Sequence, residues 1–354
     1  MVSDLIKTRC SSALIGLAIG EAICWTTQYS RAQSMPEWLN RIRNDIDKGN
    51  YSLNITSHPV PFALNQHTIP LLPNPADITE WAAWTALLLV KNDGVLTEAI
   101  LQSAWQELAD QASNIRGRMS VQAALRNIQK GLTIPECGRF NPHFFDDAAL
   151  PRAVVIGAVN AGNNIRAAEI TSLDASFTQY EDGVFCARAL ANAVSSACNG
   201  VSISEIIAKA LNELPSGSLS RRIVLKALDD PPQNNKDILH TAYFLSSEIC
   251  NLEYSYGNIA HEILACALSI IAKTGGNFEQ TIGVAALVPR AGAGLLSICA
   301  SLAMIISGYE WQQKQWVKSR VSRLHGNYVP LLKGINLIDL AEKVGFLPGK
   351  LNKQ

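Results

Sequence analysis

At 354 residues the chain is long enough for two average domains or one large helical one. Apolar residues make up 48% and charged residues 17%, below the usual quarter, so a large core can be buried. Thirty basic residues balance thirty acidic ones, which excludes a global electrostatic pull toward nucleic acid or anionic lipid.

The first predicted element is a helix over residues 3–24, with Ser3 as a cap. Lys7 and Arg9 precede an apolar run, Ala13 to Ile19, and so mimic a short signal peptide. Glu21 interrupts that run and the helical period continues past it, so the stretch reads as a buried first helix. Gly16 and Gly20 lie about one turn apart on it. A glutamate inside such a helix needs a partner or an aqueous cleft. Residues 30–75 carry six prolines and predict a long connection, with one amphipathic helix at 36–48.

Helices follow at 78–91, 95–111 and 118–130, with breaks at Asn92-Asp93-Gly94 and Gly131. Asp77, Thr79 and Glu80 crowd the start of the first of these, where plain N-capping accounts for them. A loop at 132–147 ends in Asp146 and Asp147, just before an apolar helix containing Arg152. That group reads either as a cap with an ion pair or as part of a site. Further helices are predicted at 148–161, 164–173, 180–198, 202–213, 238–250, 257–272 and 276–286, with an exposed loop around Pro231-Pro232. The stretch from Ala291 to Gly308 carries no charge and mixes small with large apolar residues. A helix apolar all round has to be buried, so it reads as the central helix of the core. A membrane span is the other reading of its 18 residues, but they are weakly hydrophobic and Arg290 stands at its mouth.

The segment Tyr309 to His325 interleaves Lys314, Lys318, Arg320 and Arg323 with Trp311 and Trp316. It reads as a solvated surface helix with both tryptophans anchored on the core rather than as a nucleic-acid or membrane surface. The tail, 310–354, adds one or two short helices. No stretch alternates as a strand does, and no fixed-period repeat occurs. The eight cysteines contain no CxxC pair and most lie in apolar helical context, which predicts free thiols in a reducing cytoplasm. No P-loop, nucleophile elbow, dinucleotide fingerprint or metal-spaced histidine pair is present. The fold class is all-α, one compact domain over 1–354.

Four stretches bring polar residues onto apolar helices: Gly16 to Trp25, Asn74 to Trp84, Phe144 to Gly157 and Val288 to Gly292. Their order and spacing resemble the ADP-ribosylglycohydrolase family, over about residues 8–318, with 319–354 as a C-terminal extension. GLAIGEAIC, Gly16 to Cys24, stands where that family has a GxxxGDAxG-type motif, with Glu21 in place of Asp. Ala76, Asp77, Ile78 and Thr79 occupy the TDDT motif. Asp146 to Gly157 resembles a third motif, near GxGAxMRxxPxG, and keeps Arg152 and Gly157. Pro289 to Gly294 takes the place of GGDxDT.

The resemblance implies an all-α fold of that family. It also implies a pair of magnesium ions between the second and fourth motifs, where they activate water against a glycosidic bond to an ADP-ribosylated side chain. Magnesium wants near-octahedral oxygen coordination. The six ligand positions fall on Ala76, Asp77, Ile78, Ala291, Ala293 and Gly294, of which only Asp77 offers a side-chain oxygen. The expectation is a family member without metal cofactor that has lost the di-magnesium hydrolase activity. It would act as a ligand-binding, regulatory or structural protein in the cytoplasm. Its partner would be an ADP-ribose-like small molecule or another protein, with neither nucleic acid nor membrane. Thr79, Asp146, Asp147, Arg152 and Arg290 are the candidate ligand-binding residues, with Glu21 expected to be buried near Asp77 and Arg290. The alternative is a residual, metal-independent hydrolase of glycosidic bonds with Glu21 and Asp77 as its carboxylate pair.

Overall fold

Two glycines decide how the first helix meets the central one. The computed structural model describes residues 4–33, 74–229, 238–250, 258–288 and 291–351. In it α1, Asp4–Gln33, crosses the central helix at backbone contact. A Cβ on Gly16 would lie 2.5 Å from the Cα of Ser301, and one on Gly20 would lie 2.3 Å from the carbonyl oxygen of Leu296. No side chain larger than hydrogen fits either place. The Ser301 hydroxyl donates to the Ala13 carbonyl at 2.8 Å across the same crossing. The central helix, Gly292–Ser307, is buried along nearly its whole length, as its uncharged sequence requires.

Most of the outer elements fall where the sequence predicts helices. They are α2 (Asp77–Lys91), α3 (Glu98–Asp110), α4 (Met119–Gln129), α5 (Leu150–Val159), α6 (Asn164–Ala175), α7 (Asp182–Asn199) and α8 (Ile203–Asn212). Then come α9 (Leu219–Leu228), α10 (Ile238–Phe244, prolonged by a π turn at Leu245–Ile249), α11 (Ala260–Thr274) and α12 (Phe278–Ala286). The central helix is α13, followed by α14 (Gln315–Arg320) and α15 (Leu337–Leu351). Among the described residues the only β pairings are isolated bridges, Asp146 with Ile259 and Arg323 with Asn336. One continuous apolar core runs from Cys10 on α1 to Leu347 on α15. No described helix is long and apolar enough to cross a membrane.

The structure departs from the sequence reading at three places. First, α9 was not expected. Ser218 caps it, its side chain accepting from the Arg221 N–H at 3.2 Å. Only a few residues of α9 face the core, so its apolar stripe is faint in the sequence. Second, the tail is more than one or two short helices. α15 is 15 residues long and packs on α1 by a close approach of Gly345 to Ser11 and Lys7. At about 100° per residue, Lys7 and Ser11 lie opposite Gly16 and Gly20, so α1 is held between α13 and α15. Third, the basic-aromatic segment forms only the short α14. Trp311 is buried and its indole N–H donates to the Ser12 hydroxyl at 3.2 Å, whereas Trp316 stays partly exposed. Most of the connection expected at 30–75, including the helix at 36–48, lies outside the described residues, as do Pro289 and Arg290.

Candidate functional site

The N-terminus of α2 is capped from another helix. Its N-cap residue, Ala76, has no side-chain oxygen to offer. Glu21 supplies one from α1. Its Oε2 accepts from the N–H groups of Ala76 (2.8 Å) and Thr79 (3.0 Å) and from the Thr79 hydroxyl (2.6 Å). Its Oε1 accepts from the Ile78 N–H at 2.9 Å. The free N–H groups of a helix start favour a negative charge there. Burial, with the charge of Asp77 second, works the other way and pushes the Glu21 carboxyl up to about 8. Asp77 and Thr79 are therefore not caps of their own helix. Thr79 donates to Glu21, and Asp77 turns to a cation.

That cation is Arg118, which the sequence reading did not single out. Its Nη1 donates to Asp77 Oδ2. On its other side Nε donates to Asp147 Oδ1 at 2.6 Å and Nη2 to Asp147 Oδ2 at 3.1 Å, a two-point fork. One guanidinium thus joins the second motif to the third. Arg118 and Asp77 are 17% and 15% exposed, against 2% for Asp147, so the bridge faces outward from the Asp77 side. Burial raises the Asp147 carboxyl above its ordinary value even though Arg118 pulls it down.

Arg118 is held from both sides. The Arg116 carbonyl accepts from the Trp81 indole N–H at 3.1 Å, which ties the segment to α2. The Ser120 N–H and hydroxyl donate to Asp146 at 3.1 and 2.6 Å, which ties the start of α4 to the third motif. Asp146 is fully buried, also accepts from the Ala148 N–H and from Gln179, and so caps two helical segments. Arg152 is fully buried as well. Its guanidinium donates to Asp174 (2.7 Å), the Ala148 carbonyl and the Thr178 hydroxyl, and stacks over Trp105. Asp146 and Arg152 thus stand in the cap and ion-pair arrangement, within the core.

The fourth motif reaches the same place through Gly294. A Cβ there would lie 2.6 Å from Asp147 Oδ2. The structure therefore brings Glu21, Asp77, Thr79, Asp147 and Gly294 into one cluster around Arg118. Arg290 lies outside the described residues.

Glu80, one turn into α2, is also buried, and its carboxylate accepts four backbone N–H groups. Gly326 and Asn327 donate to Oε1 at 2.7 and 3.1 Å, Tyr328 and Val329 to Oε2 at 2.8 and 3.0 Å. The sequence marked Glu80 only as part of a crowded helix start. Its partners lie 246 to 249 residues away, and no local pattern announces them.

The family model for ADP-ribosylglycohydrolases matches residues 3–343. The chain is also similar to a solved structure described as an ADP-ribosylglycohydrolase-related protein complex, at 15% identity and a TM-score of 0.59, covering 98% of this chain and all of that one. No curated protein sequence matches. The chain belongs to the ADP-ribosylglycohydrolase family, and its all-α fold is the fold of that relative.

Proposed function

We propose that this ADP-ribosylglycohydrolase family member has given up the di-magnesium hydrolase chemistry and works as a ligand-binding protein, with an ADP-ribose-like nucleotide sugar as its ligand class. The observation that carries the reading is the Arg118 bridge. Of the six positions that the resemblance assigns to metal ligands, five have no side-chain oxygen. The sixth, Asp77, is paired with a guanidinium that also engages Asp147. A fixed positive charge on that carboxylate opposes a divalent ion at the same place. The residues present do not fit the magnesium pair, and no step of this reading passes through it. A cytoplasmic setting goes with the reading: all eight cysteines are buried and none is joined in a disulfide, which suits a reducing compartment.

A residual hydrolase using Glu21 and Asp77 has less support. Every acceptor site that Glu21 uses is turned to the start of α2, and Asp77 is held by Arg118.

Calorimetric titration with magnesium at millimolar concentration tests the metal half. The expected outcome is heat no larger than dilution and an unchanged melting temperature; two ions bound beside Asp77 in a crystal structure would overturn it. Thermal shift with ADP-ribose tests the ligand half, since a ligand that binds only the native state raises its stability. A flat melting temperature at saturating ADP-ribose would remove that ligand class.

A further inference from the structure

A cavity of about 660 Å³ opens where α7 and α8 end and α6 begins, under the turn that follows α5. It lies apart from the Arg118 cluster. α5 starts just after Asp147 and reaches the cavity with its other end, about 15 Å away for a helix of this length. Five asparagines line the cavity: Asn163, Asn164, Asn192, Asn199 and Asn212. Asn163, Asn199 and Asn212 stand at helix ends, where asparagine is ordinary. Asn192 is different. It lies inside α7 and is 3% exposed, a place where an amide costs both helix propensity and hydration. Its Nδ2 donates to Glu213 Oε1 at 2.8 Å, but its Oδ1 accepts from no described residue. Its backbone carbonyl and the Ser196 hydroxyl accept from Asn164 Nδ2 at 3.1 and 2.8 Å, which fixes one wall to the floor.

The charges at this cavity are already matched. Glu213 Oε2 accepts from Arg188 Nε and Nη2 at 3.0 and 2.6 Å, and Lys209 pairs with Glu205 at 3.2 Å. What remains for a ligand is a set of amides, and an amide both donates and accepts, as a hydroxyl does. We propose that the cavity binds a neutral, hydroxyl-rich small molecule, a sugar or polyol, one of whose O–H groups supplies the donor that Asn192 Oδ1 lacks. A phosphorylated ligand would find no unmatched cation among the lining residues. Ile165, 74% exposed at the edge of the cavity, gives the C–H face of a sugar ring an apolar surface to lie on. The volume is within the range of small-molecule sites, about 300–1,000 Å³. This proposal is independent of the function proposed above, which concerns the other end of α5.

The test uses the full chain with carbon-13-labelled isoleucine methyl groups. The Ile165 methyl resonance is assigned by its loss in Ile165→Val. Glucose, ribose, trehalose and myo-inositol are titrated in turn, with a blocked alanine dipeptide as the arm for a peptide-like ligand. At least one of the four polyols should move the Ile165 resonance saturably, while that of Ile78, at the Arg118 cluster, stays in place. Asn192→Ala removes the floor of the cavity and should weaken that binding about tenfold, on the scale of one or two hydrogen bonds. Should Asn192→Ala not fold, Asn212→Trp fills the mouth from an exposed position and should abolish the shift. No saturable shift with any of the four polyols overturns the proposal, and a shift with the dipeptide alone assigns the cavity to a peptide instead. Equal affinity in the wild type and in every variant that folds overturns the location.

Discussion

Arg118 is the residue that joins the cluster, paired with both Asp77 and Asp147. Removing one member of a buried pair strands the other, at a cost of about 3–5 kcal/mol. Arg118→Ala leaves Asp147 buried beside the equally buried Asp146 with no guanidinium, and should lose stability on that scale in urea denaturation. Arg118→Lys keeps the charge but not the planar fork, and should fall between the two. A loss within about 0.5 kcal/mol, the range of ordinary surface substitutions, would show that the bridge is not formed in solution. Glu21 makes a pH prediction. A carboxyl whose pKa rises on folding holds its proton more tightly in the native state. Its stabilising contribution is complete below the ordinary glutamate value of 4.5 and is lost as pH climbs to about 8. The melting temperature of the wild type should therefore fall between pH 5 and pH 8 more steeply than that of Glu21→Gln. Parallel profiles for the two proteins would count against a raised Glu21.

At the scale of elements, the crossing of α1 and α13 is set by missing side chains. Gly20→Ala puts a methyl 2.3 Å from a carbonyl oxygen of α13, so the two backbones must separate. Overpacking of this kind costs about 1–3 kcal/mol, and here backbone rather than a side chain has to give. Gly283 on α12 is the natural control, because a Cβ there meets nothing within 4 Å. Gly283→Ala should gain about 0.4–1 kcal/mol by restricting the unfolded chain. Opposite signs in the two melting curves are expected; a neutral Gly20→Ala would mean that the helices are not in backbone contact. The helix ends follow a related logic. α2 and α4 both start without a useful cap of their own, and Glu21 and Asp146 supply it from elsewhere, so neither start is complete until its neighbours have packed.

For the whole molecule, the C-terminal extension is part of the structure on which the site stands. It covers one face of α1 through Gly345 and satisfies the buried Glu80. Deleting 326–354 should leave a buried carboxylate without its donors and an apolar face without cover, both strongly destabilising. The expected result is loss of a cooperative thermal transition in circular dichroism. A truncated chain melting like the full one would show that the extension is dispensable.

Most of the helices and the burial of α13 were legible in the sequence, because apolar periodicity is a local property that burial reads directly; the one-turn spacing of Gly16 and Gly20 was visible too, but the backbone contact it allows with α13 came only with the packing. The family was legible for a similar reason, since its motifs sit at helix ends whose order the chain preserves. The need of Glu21 for a partner could also be read from a charge inside an apolar helix. Which partner it found could not. Its acceptors are filled by donors 55 to 58 residues on, and those of Glu80 by donors at least 246 residues on. Arg118, in an unremarkable Arg-Gly-Arg stretch, became the counter-charge of two motifs only because α2, α4 and the third motif pack together. Hydrogen-bond and ion-pair partners across a fold are chosen by which helix ends meet, and that is decided by the packing of the whole core rather than by any window of the chain.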